Sequence, residues 1–383
     1  MPILLTIAVA SFALIGLAWI GYPAAMWLRG RRRLSATPPG YVPSERACVV
    51  VATRDAPAFA VARVRNLRAG DYPADLLSVV VSVDVTSPHP VAAYREAIGD
   101  LADVVAGDGP GGKAATLNAG VRAAYECDVL VFADVGQEFN ASAIRYLVGE
   151  LATGLDGVTG RYAQRRYDTL MVVYADLEAV IRAGQAAGRS VVSASGSILA
   201  IRPAMWRDLP AGLICDDLFT GLSIVRQGGH LGFCPHAIAF DPRTFTRDQQ
   251  FARRARTLTG LIQYCAVAPG ALVPWRNPIW IHFVLHKLLR LLTPIPLAIG
   301  GLALAAWLLL QWPTGSLVGL AGVAILVLAT GVVAPRTFAR FREQVRWILQ
   351  LSLIPVVAIA NGVRGRWAVW TPTPQGPGPG GGA

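Results

Sequence analysis

The sequence predicts an α/β protein built on an open, doubly wound, mostly parallel sheet, with one apolar helix before it and two to three after it. Three observations predict this. Continuous rather than alternating apolar runs at Cys48-Val-Val-Val-Ala52, residues 77–83 and residues 129–132 have the pattern of strands covered on both faces. Helical stretches alternate with those runs, which is the signature of a parallel sheet. One long apolar segment precedes this region and three follow it.

Residues 3–27 are almost unbroken apolar, ~38 Å at the helical rise and long enough to cross a bilayer. The basic residues Arg29, Arg31, Arg32 and Arg33 follow this segment instead of preceding it. That order reads as an uncleaved signal anchor with the next domain in the cytoplasm. Residues 29–46, with Pro38 and Pro39, read as a basic linker. Strand 48–52, an arginine-studded helix at 58–67, strand 77–83, helices at 91–98 and 114–125, and strand 129–132 follow. Ligands of such sheets bind beyond the carboxyl ends of the strands, and Asp84 and Asp134 both fall at such ends. Leu170, Val173, Leu177 and Ile181 give residues 167–187 a helical apolar stripe. Residues 279–292 are amphipathic, with His282, His286 and Arg290 on one stripe, and suit a helix in the membrane interface. Residues 294–310 and 317–334 are long enough to cross. Residues 348–360 are shorter, contain Gln350 and Pro355, and read as re-entrant or interfacial. Arg364 and Arg366 keep the chain end cytoplasmic, and the Pro/Gly-rich tail from Pro372 reads as disordered. The resulting division is an anchor at 1–28, a linker at 29–46, a cytoplasmic α/β domain at 47–275, an interface helix at 276–292, a membrane region at 293–364 and a tail at 365–383.

Composition supports a multi-pass membrane protein. Of 383 residues, 54% are hydrophobic and only 15% charged, too apolar for an ordinary soluble chain. The net charge of +11 would suit nucleic acid or an anionic membrane, but the arginines lie beside apolar spans and no aromatics interleave with them to stack bases. No nucleic-acid partner is expected. Lysine occurs only at Lys113 and Lys287, so the lysine kept within Gly-Pro-Gly-Gly-Lys stands out: a compact ammonium is not interchangeable with a planar guanidinium. The five cysteines form no C-x-x-C pair, which argues against zinc or disulfides and fits a reducing compartment. Cys215 has no nearby histidine and reads as a spectator thiol.

The candidate chemistry lies between the apolar segments. Asp84 can accept hydrogen bonds from a base or ribose over the sheet edge, or it can be a turn aspartate. Residues 107–118 (GDGPGGKAATLN) place glycines and Lys113 just before a helix, where backbone N–H groups favour phosphate. The spacing is not that of a Walker loop. Asp134 can meet a divalent cation bridging two phosphates. Asp216 and Asp217, downstream of Ser195-Gly196-Ser197, read as a turn on which two adjacent acids cannot both enter one pocket. One can be a general base while the other structures the loop. Arg253, Arg254 and Arg256 form a basic cluster suited to a departing diphosphate. His282 and His286 have metal-ligand spacing but lack a third ligand, and read as packing or headgroup contacts.

Together these residues resemble the membrane glycosyltransferases of family 2, the group of cellulose and hyaluronan synthases, and especially their shorter bacterial relatives. The family's Gly-Lys and Asn-Ala-Gly appear as Gly112-Lys113 and Asn118-Ala-Gly120, and its Gly-x-x-x-Ala-Ile-Arg as Gly196-Ser-Ile-Leu-Ala-Ile-Arg202. Cys215-Asp216-Asp217 matches the acidic acceptor-side motif, Gln250-Phe-Ala-Arg253-Arg254 approximates Gln-x-x-Arg-Trp, and His286-Lys287-Leu-Leu-Arg290 matches His-Lys-x-x-Arg. Two departures stand out. The family's Asp-x-Asp is Asp134-Val135-Gly136, and its Asn-Glu after the first strand is replaced by Thr53-Arg54-Asp55-Ala56. The resemblance implies a GT-A fold at the cytoplasmic face of a bacterial inner membrane and inverting transfer from a nucleotide-diphosphate sugar. The acceptor it implies is a polyprenyl-linked glycan or a growing polysaccharide. It also implies Asp217 as base. Thr53, Asp84, Lys113, Asp134, Arg253 and Arg254 lie on the donor side, and Ser195, Gly196 and Asp216 on the acceptor side. Mg²⁺ or Mn²⁺ on Asp134 and an export partner protein belong to the same expectation. Gly136 motivates a rival reading, a non-catalytic scaffold in an envelope-polysaccharide complex.

Overall fold

A computed structural model describes residues 2–31, 41–124, 126–164 and 169–367. The linker expected around Pro38 and Pro39 and the tail from residue 368 lie outside the described residues. The chain divides into two compact units. One is built from Pro23–Thr244 and Gly260–His282, the other from the N-terminal helix up to Tyr22, Phe245–Thr259 and Phe283–Arg366.

The first unit holds an eight-stranded sheet: β1 (Ala47–Thr53), β2 (Leu77–Val83), β3 (Asp103–Ala106), β4 (Val129–Ala133), β5 (Glu138–Phe139), β6 (Gly157–Gln164), β7 (Ile198–Ile201) and β8 (Leu231–Asp241). Its order is β3-β2-β1-β4-β7-β6-β8-β5. The half β3-β2-β1-β4 is wholly parallel, as the continuous apolar runs predict. Val49, Val51, Val81 and Val131 are all 0% exposed, and full burial of such a side chain stabilises by roughly 1.5–3 kcal/mol. Strand order reverses between β1 and β4, which opens a crevice at their carboxyl ends.

The other half is mixed and was not legible as strands. β7 runs antiparallel to both β4 and β6, β5 runs antiparallel to β8, and β6 pairs with β8 in parallel. β6 contains two glycines, and β8 carries Pro235 and His236, so neither has a clean apolar run. The β6–β8 register jumps from Gly160–Cys234 to Arg161–Ile238 and bypasses Pro235, which has no N–H to give a ladder.

The helix Lys113–Ala123 packs on β1 and β2, and Gly120 makes this contact close. A Cβ there would lie 2.6 Å from Val50 Cγ1 and 3.2 Å from Ser82 Cβ.

In the second unit the helix Pro2–Gly16 lies against Pro294–Gln311, with Gly300 opposite Ser11 and Phe12. Pro2–Gly30, Pro294–Gln311 and Phe338–Val363 are each long and apolar enough to cross a membrane. A 21-residue helix, Pro313–Val333, joins the last two. The final apolar run belongs to one continuous helix, Pro335–Val363, which contains Pro355 and begins well before the segment at 348–360. Of the two readings of the His286 and Arg290 stripe, packing or headgroup contact, the structure has packing inside this unit. His286, 2% exposed, stacks on Tyr22 at 6.2 Å, and the Arg290 guanidinium lies 4.6 Å from the centre of the Trp19 ring.

Replacing Gly120 with Ala overpacks the helix–sheet contact and should cost about 1–3 kcal/mol. Thermal unfolding in detergent should show a lowered midpoint for Gly120→Ala. Gly301→Ala, where a Cβ meets nothing within 4 Å, should show no loss.

Candidate active site

The strand ends of the parallel half build the site. Thr53 closes β1; its carbonyl accepts the Asp84 N–H at 2.8 Å and its hydroxyl accepts the Asp55 N–H at 3.1 Å. Asp84, just past β2, is 5% exposed. Its Oδ1 accepts the Thr86 N–H and hydroxyl, both at 2.8 Å, and its Oδ2 accepts the Gly112 N–H at 2.8 Å. The glycine loop therefore closes around this carboxylate. Gly111 and Gly112 have φ of +97° and +89°, and a Cβ on Gly111 would lie 2.8 Å from Asp84 Oδ1. Asp84 shapes the loop that delivers Lys113. An ionised carboxylate has further acceptor capacity, so a ligand contact at Oδ2 is not used up.

Lys113 opens the helix Lys113–Ala123, and its ammonium joins two remote acids. Nζ lies 2.9 Å from Asp134 Oδ1, past the end of β4, and 3.0 Å from Asp216 Oδ2. Asp216 and Asp217 are not on a turn, as their spacing suggested. They form the first turn of the helix Asp216–Arg226, where the helix dipole favours negative charge. The helical advance from one residue to the next separates the two carboxylates. Asp216 points to Lys113, while Asp217 accepts its neighbour's Leu218 N–H at Oδ1 and turns Oδ2 toward Gly196, 3.6 Å from where a Cβ would stand. Beside them Ser195 and Ser197 share a hydroxyl–hydroxyl bond of 2.9 Å, and the Ser195 N–H donates to Thr159 Oγ1 at 2.7 Å. Lys113, Asp134 and Asp216 are thus brought together. Asp84 joins them through Gly112, and Asp217, Ser195 and Gly196 lie alongside.

One ammonium serves several acids. Desolvation opposes charge on Lys113, but Asp134 and Asp216 outweigh it and hold the ammonium well above the usual lysine range. Asp216 is pushed up from the ordinary carboxylate range chiefly by desolvation; Lys113 pulls the other way, and Asp217 and Asp134 add to the upward push.

The position after Asp134-Val135 is the least expected part of the site. Gly136 has no side chain, and the space a Cβ would take is filled by the Arg243 guanidinium, with Cζ and Nη1 both 2.7 Å away. Arg243 is held by Asp241, the last residue of β8, through Nε–Oδ1 at 2.8 Å and Nη2–Oδ2 at 2.9 Å. Gln137 and Tyr162 also donate to Asp241 Oδ2, at 3.2 and 2.9 Å. Arg63, on the arginine-studded helix, is 2% exposed, with its guanidinium 4.1 Å from the centre of the Phe139 ring and its pKa pushed down to about 9 by burial. Asp134 and Glu138 act on it through space against that shift.

This donor set does not fit the divalent cation expected on Asp134. Magnesium-type sites use one or two carboxylates, but here the single carboxylate is engaged by Lys113 and a guanidinium fills the adjoining space. Among the described residues no group of three or more His, Cys, Asp and Glu could hold a metal ion. Sequence reasoning missed Arg243, Asp241 and Arg63. The only local signal was an isolated Asp-Pro-Arg after a strand with no clean pattern.

Arg253 and Arg254 lie on the helix Arg247–Val267, in the segment that belongs to the other unit, where the Arg253 guanidinium is 3.9 Å from the centre of the Phe245 ring. Several motif residues have structural work. Asn118 exchanges two hydrogen bonds with the Leu209 backbone at 2.9 and 3.0 Å. Arg202 donates to the Leu155 and Leu151 carbonyls at 3.0 Å, the second of which ends the helix Ala143–Leu151. Cys215 is buried, consistent with a spectator thiol.

A doubly wound half-sheet joined to a mixed half, with acids gathered at the strand ends, is the GT-A architecture of glycosyltransferases. The profile described as "Glycosyltransferase like family 2" matches residues 43–266, and the chain belongs to that family. The fold is similar to that of the mannosyltransferase PcManGT from Pyrobaculum calidifontis, solved in complex with GDP-Man and Mn²⁺. The TM-score is 0.67 at 19% identity, over 94% of this chain and 99% of that one. A mycobacterial protein of known structure aligns at 15% identity and TM-score 0.42, over 60% of this chain and 79% of its own. No curated protein matches the sequence.

Two outcomes follow from this geometry. Asp84→Ala leaves the Gly112 and Thr86 groups without their acceptor; both residues are exposed, so water takes its place, the loss is about 0.5–1.5 kcal/mol per hydrogen bond, and hydrogen exchange at Gly112 should accelerate. For Asp216, a folded-state pKa above the unfolded value means that its stabilising contribution is full below the ordinary carboxylate range. That contribution is lost as pH rises through the raised value. Melting curves against pH should therefore show wild type losing stability relative to Asp216→Asn across that window.

Proposed function

We propose that the protein transfers a sugar with inversion from a nucleotide-diphosphate sugar to a membrane-associated acceptor. The observation that carries this reading is the junction of Lys113 with Asp134 and Asp216 beyond the carboxyl ends of the strands, at the point where strand order reverses. An ammonium has three protons; two face the acids, and the third is available to a diphosphate oxygen. Thr53 and Asp84 line the side on which the nucleoside would lie, and Arg253 and Arg254 are assigned to the leaving nucleotide. Asp217 is assigned as the base. Its carboxylate takes the proton from the acceptor hydroxyl while that oxygen bonds to the anomeric carbon. The bond from that carbon to the diphosphate breaks, and its electron pair leaves with the nucleoside diphosphate. Ser195, Gly196 and Asp216 lie on the acceptor side, where the absent side chain at Gly196 keeps the approach to Asp217 open. Charge stabilisation on the leaving group makes the larger contribution to rate and oriented attack the next.

Three helices long and apolar enough to span support an acceptor presented at the membrane. So few crossings favour a polyprenyl-linked glycan over a polymer threaded through the protein. The assigned side is the cytoplasmic face of a bacterial inner membrane, and the assigned role is envelope polysaccharide assembly, with an export partner. PcManGT was solved with GDP-Man, so GDP-mannose belongs in any donor panel.

Turnover of UDP-, GDP- and dTDP-sugars in membranes tests the reading. Asp217→Asn should reduce turnover of the accepted donor by about 10²–10⁴-fold while nucleotide affinity holds. Equal turnover by variant and wild type would remove Asp217 from the chemistry, and no consumption of any donor would remove the reaction.

A further inference from the structure

We infer that Arg243, seated in the space left by Gly136, acts with Lys113 as a fixed protein substitute for the divalent cation at the donor diphosphate, so that donor binding needs no metal. The inference rests on the nucleotide-sugar reading above and deepens it.

Four observations carry it. The guanidinium occupies the place where a second acidic side chain of an Asp-x-Asp pair would begin, since a Cβ on Gly136 would lie 2.7 Å from Arg243 Cζ. An acid at 136 and this guanidinium position exclude each other, so the lost carboxylate and the gained cation are one change. Arg243 is also built in, not draped over the surface. Its Nε and Nη2 are fixed by Asp241, its backbone N–H donates to Asp241 Oδ1 at 3.1 Å, and its carbonyl accepts Gln164 Nε2 at 3.1 Å. The pair has a direction: Asp241 is 0% exposed, whereas the Arg243 side chain keeps 26% of its area exposed, so the acid lies inside and the cation outside. Finally, Asp134 already has Lys113 at 2.9 Å and lies in the field of Arg243 and of buried Arg63, so the charge around it is supplied by side chains. A planar guanidinium suits two phosphate oxygens, and a lysine serves as the accompanying point charge.

The test is equilibrium binding of GDP, UDP and dTDP to the full chain in detergent, in excess EDTA and in Mn²⁺, by calorimetry. The nucleotide that binds should do so in EDTA within about threefold of its affinity in Mn²⁺. The double variant Arg243→Gln, Asp241→Asn keeps net charge and leaves no buried acid unpaired. It should bind about tenfold or more weakly in EDTA, the size of a lost charge-assisted hydrogen bond. Wild-type binding that falls more than tenfold in EDTA and returns with Mn²⁺ would overturn the inference without needing any variant. Unchanged affinity in the double variant would overturn it too. Should that variant fail to fold, Arg243→Lys keeps the charge without the fork and should bind in EDTA with a smaller loss; a new requirement for Mn²⁺ there supports the inference, and wild-type affinity counts against it. EDTA-resistant, Arg243-dependent binding without sugar turnover upholds this inference while the transferase reading fails. If none of the three nucleotides binds under either condition, both fall.

Discussion

The ammonium of Lys113 holds the site together. Asp134 arrives from the end of a parallel strand and Asp216 from the first turn of a distant helix, with Asp217 beside it. Like charges about 4 Å apart at an effective dielectric near 20 repel by roughly 4 kcal/mol, so such a gathering needs a cation at its centre. Lys113 is that cation, at 2.9 and 3.0 Å from two of the acids. Its position is set by the glycine loop, which is set by Asp84 through the Gly112 N–H. A chain of contacts thus runs from the end of β2 to the helix Asp216–Arg226: a hydrogen bond from Gly112 to Asp84, the step along the chain to Lys113, and an ion pair to Asp216.

The same requirement explains why motif residues divide into two kinds. Asn118, Gly120 and Arg202 belong to recognisable patterns, yet in this structure they pair with backbone or clear space for a helix against the sheet. They fix where loops sit. Lys113, Asp134, Asp216 and Asp217 carry the charge those loops present. Asp84 spans both kinds, because a carboxylate that shapes a loop around itself still presents acceptor capacity at the rim.

Apolar helices and a charged catalytic unit in one chain meet different physical demands. In the helical unit, backbone hydrogen bonds are satisfied within each helix, and small residues such as Gly300 permit close approach. In the α/β unit, the parallel half is an apolar slab whose strand ends are free to carry polar loops. Lys113, Asp134 and Asp216 meet at that rim.

Periodicity made the first half of the sheet legible. Val-rich runs near 48, 79 and 131 could only be strands covered on both faces, and the helices between them had room for a right-handed crossover. β6 and β8 were hidden, because glycines, a proline and a histidine interrupt them and their stability comes from neighbours, not from their own pattern. Among the site residues, acids at strand ends and a solitary lysine in a glycine loop could be singled out from order alone. The turn assigned to Asp216 and Asp217 became a helix start, because the helix dipole and the packing of residues 218–225 outweigh the local turn signal. The pairing of Gly136 with Arg243 could not be read at all: a missing side chain and a remote guanidinium have no common pattern in one dimension. Local residue spacing determined the parallel strands, the helices between them and the apolar spans, since those depend on neighbours along the chain. Which charges meet at the rim was decided only by the fold, since electrostatic energy depends on distance through space.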